Sequence, residues 1–110
     1  MSHPYEKALR LLTDLDAKQR IKALNELAKL RPPECVNDIL HLIEKDDNDD
    51  VKITAIRTLG RINDISAGPS LIKFLVLDNI PFVLEAVVAL GLITAQGFTA
   101  GISALEKMLD

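Results

Sequence analysis

The chain holds few residues able to do chemistry, and their spacing works against catalysis. Its two histidines, His3 and His41, are followed by Pro4 and Leu42, so neither belongs to a His-x-x-x-His or His-Glu pair. A metal site needs convergent ligands, and a lone imidazole is the ordinary state of a surface histidine. Cys35 is the single cysteine. It falls in the first turn of an expected helix, where the macrodipole favours a thiolate. No histidine lies nearby in sequence to activate it, so a small, partly buried side chain is the simpler reading. The acidic run Asp46-Asp47-Asn48-Asp49-Asp50 has the carboxylate density of a calcium loop but lacks the glycine and the closing Glu that such a loop requires. These acids suit the positive start of a helix instead. Asp14 and Asp16 sit at an interhelical turn, and no glycine-rich phosphate loop is present. The expectation is no catalytic residue, no metal and no cofactor.

What must position these residues is a repeat. The pattern Ile21-x-Ala23-Leu24-x-x-Leu27-Ala28-x-Leu30 recurs as Ile53-x-Ala55-Ile56-x-x-Leu59-Gly60-x-Ile62 and as Leu84-x-Ala86-Val87-x-x-Leu90-Gly91-x-Ile93. A period near 32 residues with six apolar or small columns describes stacked supersecondary units, since one unit cannot bury its own apolar face. Gly60 and Gly91 share the Ala28 column and are expected at interhelical contacts. Asp16, Asn48 and Asn79 precede the three blocks in register and are helix-capping types. Asp16 is followed three residues later by Gln19, a variant capping box. The first helix of each repeat is therefore expected near 16–30, 49–62 and 80–94. Second helices begin after Pro32-Pro33-Glu34, after Ser66-x-x-Pro69 and after Gly97, the last carrying Ile102, Leu105, Met108 and Leu109. Residues 4–14 read as a leading half-repeat. The fold class is an all-α solenoid of about seven helices in one domain, residues 1–110, with repeats at 16–46, 48–78 and 79–110.

Composition agrees. The chain has 110 residues, enough to bury roughly two-thirds of its unfolded surface without a staple. It is 48% hydrophobic but only 4% aromatic, with no Trp, which suits close helix-on-helix packing. A net charge of −3 gives no broad footprint for nucleic acid, and one cysteine cannot form an intramolecular bridge. No basic segment followed by an apolar run opens the chain, so the expected location is the cytoplasm.

The stretch Asp49-Asp50-Val51-Lys52-x-x-Ala55-x-x-x-Leu59-Gly60-x-Ile62-x-Asp64, followed by Ile72-x-x-Leu75-x-x-Asp78, resembles a HEAT repeat of the short, phycobilin-lyase-like kind. The resemblance spans nearly the whole chain and is strongest over 46–93. It implies a non-catalytic protein-interaction scaffold, with a lyase-like enzyme or chaperone subunit as the alternative and a nucleic-acid-handling role as a weaker one. The His-Glu pairs of iron-dependent HEAT-repeat hydroxylases have no counterpart here. The basic residue of the Val-Lys pair is Arg20, then Lys52, but Val83 in the last repeat, so any interhelical charge ladder stops before that repeat.

Charge is distributed unevenly: 23 of the 29 charged residues precede residue 65. The polar columns Asn25/Arg57 and Lys29/Arg61 continue as Val88 and Leu92, while Glu44 and Lys45 are matched by Val76 and Leu77. An apolar patch of this kind marks a homodimer or partner interface. Two other readings stand beside it. Helix 95–109 folds back over the patch with the help of its small residues, or the uncharged stretch 86–105 spans a membrane. The second is disfavoured by its Gly, Thr, Ser and Gln content and by the lack of flanking basic belts. The expected working surfaces are this patch, with Val76, Leu77, Val88 and Leu92, and the second-helix face, with Arg10, Asp38, His41, Lys45 and Lys73. The expected partner is another protein, a second copy included, and neither nucleic acid nor a membrane.

Overall fold

The computed structural model describes residues 3–75, 79–94 and 106–107. Six α-helices occupy them: α1 (Glu6–Leu11), α2 (Ala17–Leu30), α3 (Val36–Lys45), α4 (Asp49–Ile62), α5 (Gly68–Phe74) and α6 (Ile80–Thr94). Single 3-10 turns, Pro33–Cys35 and Ile65–Ala67, lead into α3 and α5. Of the expected last helix only Glu106 and Lys107 are described, both helical; Ile102, Leu105, Met108 and Leu109 lie outside the described residues, and so do Val76 and Leu77.

The three capping residues do what their types suggest. Asp16 accepts from the Lys18 N–H at 3.0 Å, Asn48 from Val51 at 3.1 Å and Asn79 from Phe82 at 3.2 Å, satisfying N–H groups that the first turn leaves orphaned. Gln19 does not complete a capping box; only its backbone N–H returns to the Asp16 carbonyl. Asp46 is not one of the capping acids. Its carboxylate is buried against Arg20, as described below.

α2, α4 and α6 form one layer, with α4 packed between the other two; α3 lies against α4, and α5 against α6. The core follows the repeat columns. Ala23, Ala55 and Ala86 are at most 1% exposed, and Leu27, Leu59 and Leu90 are fully buried, so the helices approach closely over Ala and interlock over Leu. Thr58 adds a polar stitch: its hydroxyl lies 2.8 Å from the Thr54 carbonyl and 3.2 Å from the Leu24 carbonyl of α2.

Two columns depart from the expected burial. Leu84 is 61% exposed and Leu30 is 39% exposed. Gly60 is the interhelical contact its column predicts, since a Cβ there would lie 2.8 Å from Ala89. Gly91 is not, for a Cβ there would meet no atom of the described residues within 4 Å. The reason is position in the stack. The α4 face bearing Ile53 and Gly60 receives α6, whereas no described helix lies against the corresponding face of α6.

Candidate functional site

On the second-helix side, α1 and α3 border a groove of about 500 Å³. Leu9, Leu12 and Leu42 supply its apolar lining, and Asp38, His41 and Lys45 its polar rim. These three recur at helical spacing on α3 and are exposed, so the groove gathers three of the five polar candidates. Arg10 and Lys73 are exposed on α1 and α5 and do not line it. His41 makes no side-chain hydrogen bond to a described residue, so nothing orients it as a base.

The end of this groove is braced by an ion pair. Arg20 Nε lies 2.7 Å from Asp46 Oδ2 and its Nη2 3.2 Å from Oδ1, while Nη1 donates to the carbonyls of Asp14 and Leu15 at 2.8 and 3.1 Å. Asp46 Oδ1 also accepts the Asn48 N–H at 2.9 Å. The Arg20 guanidinium thus ties the turn before α2 to the end of α3, bracing the two helices of the first repeat. The bidentate geometry supports that role.

Cys35 is fully buried at the start of α3. Burial, aided by the nearby Asp38 and Glu34 carboxylates, pushes its thiol up to about 11. The macrodipole does not produce a reactive thiolate here, because loss of hydration outweighs it. Among the described residues no group of three His, Cys, Asp or Glu side chains is placed to hold a metal ion. No helix among them is long and apolar enough to cross a membrane.

The second surface belongs to α6, whose only charged residue is Glu85. Ile80, Leu84, Val88 and Leu92, spaced by four, are 70%, 61%, 61% and 45% exposed. Spacing by four aligns them as one slowly winding stripe. The structure thus places Val88 and Leu92 at the surface and extends their patch to Ile80 and Leu84.

Between this ridge and α4 runs a cleft of about 510 Å³ with a different character. Arg31, Arg57 and Arg61 line one side, Val88, Ala89 and Leu92 the other. Arg57 Nη2 pairs with Glu85 Oε1 at 2.7 Å, and this hydrogen bond raises the Arg57 pKa. No motif in the sequence marks this cluster as one site. Its signal was present in the polar columns that hold Arg57 and Arg61, but Arg31 joins them only because the chain turns left-handed after α2, at φ 55° and ψ 48°.

No curated protein matches the chain at a significant level. A family model does: the model for HEAT repeats matches residues 5–91, from the approach to α1 to the last turn of α6. That span contains α2, α4 and most of α6, the Ala and Leu columns and the Arg20–Asp46 pair, and on this match the chain belongs to the HEAT-repeat family.

Proposed function

We propose that this chain is a non-catalytic protein-interaction module that engages its partner through α6. The observation that carries the reading is the uncharged stripe Ile80, Leu84, Val88 and Leu92, each residue 45–70% exposed on a helix that buries Ala86, Leu90 and Ile93 on its other side. Scattered exposed Leu needs no explanation, but a contiguous apolar ridge rimmed by the Arg57–Glu85 pair fits a contact site. The groove with Asp38, His41 and Lys45 adds polar groups suited to selecting among partners. HEAT repeats commonly mediate protein–protein contacts, which supports the same reading.

A second copy is one occupant the stripe favours. Under a two-fold axis the contact that one residue of the stripe makes to another is returned by its mate, so every pair formed between two stripes is uncharged and meets no like-charge penalty. The test is a pull-down from source lysate with wild type and Val88→Lys/Leu92→Glu side by side, together with light scattering of each. Bands lost by the variant, or a wild-type dimer that the variant abolishes, support α6 as the contact. Equal capture by both, with a monomer throughout, overturns it. Saturable tetrapyrrole binding would favour the lyase-like reading instead.

A further inference from the structure

The protein-binding reading leaves the partner's chemistry open, and the cleft between α4 and α6 narrows it. Three arginines, Arg31, Arg57 and Arg61, line this cleft together with the apolar wall made by Val88, Ala89 and Leu92. Glu85 engages Arg57, whereas Arg31 and Arg61 have no acidic partner among the described residues. Two unneutralised cations beside an apolar wall are notable in a chain of net charge −3. Asn63 lines the same cleft, and its Oδ1 is buried with no donor.

Arg31 is held there at a steric cost. It ends α2 in the left-handed region, as Asn63 ends α4 at φ 62° and ψ 43°. Asn is among the residues that tolerate this conformation, and Arg is not. Two repeats thus make the same turn, one with an accommodating residue and one with a strained residue, and both residues line the cleft. Strain retained at a surface points to a role beyond folding. Complementing the negative ends of α2 and α4 accounts for the charge of Arg31 and of Arg61, but it accounts neither for the left-handed backbone retained at Arg31 nor for the facing apolar wall.

We propose that this cleft binds an acidic segment of a partner protein, its carboxylates held by Arg31 and Arg61 and a neighbouring apolar side chain seated on Val88 and Leu92. The proposal rests on the protein-binding reading and names the partner's chemistry. Guanidinium groups suit carboxylates through paired N–H donors, and a segment that also fills the apolar wall gains what a bare anion cannot. A nucleic-acid backbone would use the cations but leave Val88 and Leu92 unpaired, and it calls for a longer basic track.

The test is fluorescence anisotropy with four fluorescein-labelled probes: a peptide with a Glu-Glu-Leu-Leu core between Gly-Ser flanks, its Gln-Gln-Leu-Leu and Glu-Glu-Ser-Ser counterparts, and a thymidine dodecamer. The first should bind saturably and at least about fivefold more tightly than the other three. Arg61→Gln and Arg31→Asn should each weaken it by about fivefold or more, and Arg31→Asn should do so while raising the thermal midpoint by a few degrees. That combination separates a binding role from a structural one. Equal binding of the Gln peptide, undiminished binding by the two variants, or tighter binding of the dodecamer overturns the proposal. Failure of every peptide also overturns it, while the lysate pull-down decides the protein-binding reading independently.

Discussion

Gly60 of α4 and Ala89 of α6 meet so closely that a Cβ on Gly60 would lie 2.8 Å from both Cα and Cβ of Ala89. Backbone, not the end of a flexible side chain, occupies the space, so a larger residue must push the two helices apart. Gly91 stands one repeat later in the same column, and a Cβ there meets no atom of the described residues within 4 Å. Gly60→Ala gains helix propensity of about 1 kcal/mol but incurs overpacking of about 1–3 kcal/mol, for a net loss. Gly91→Ala gains the propensity alone, about 1 kcal/mol. Urea midpoints moving in opposite directions are expected, and equal gains at both positions would contradict the close approach.

The Arg20–Asp46 pair is largely buried, with side chains 17% and 4% exposed. Arg20→Ala leaves the Asp46 carboxylate without its cation and also releases the carbonyls of Asp14 and Leu15. A loss of about 3 kcal/mol is expected, and Arg20→Ala/Asp46→Ala should cost clearly less than the sum of the two single changes. Additive losses in the double-mutant cycle would show that the pair is not coupled.

Cys35 gives stability a dependence on pH at the alkaline end. The thiolate is the form that burial penalises, so the native chain keeps its proton in a range where the unfolded chain has lost it. The contribution is fully present below pH 9 and is lost as pH rises through about 11. On the order of 3 kcal/mol separates these limits. Cys35→Ala should flatten that part of the profile when unfolding free energy is measured from pH 8 to 11, and a profile parallel to wild type would refute it. Native Cys35 should also react slowly with a thiol reagent at neutral pH and rapidly in urea.

Val88 and Leu92 are surface residues in the structure, so Val88→Lys/Leu92→Glu should keep helicity and hold the unfolding free energy within about 1 kcal/mol of wild type. Circular dichroism at low protein concentration checks this. A collapse of the helical signal would mean that α6 is rotated relative to the position described.

Local chemistry made much of the fold legible. Asp16, Asn48 and Asn79 announce three helices because capping is decided within three residues of the cap. The Ala and Leu columns name the buried face because a helix repeats every 3.6 residues whatever surrounds it. Val88 and Leu92 were readable as surface because the same columns hold Arg57 and Arg61 in the preceding repeat.

Tertiary structure decided the rest, wherever the answer depends on a neighbour distant in sequence. Gly60 and Gly91 look alike in register, yet only Gly60 meets a described helix across its face. Leu84 matches the half-buried Ile53 and is nonetheless exposed, for periodicity assigns a face without saying what covers it. Asp46 reads as one more capping acid until the fold brings Arg20, 26 residues upstream, against it. The cleft is the extreme case: Arg31, Arg61 and Leu92 come from three repeats and meet only when α2, α4 and α6 stack. Pattern fixes which way each side chain faces, and packing alone determines which of them face each other.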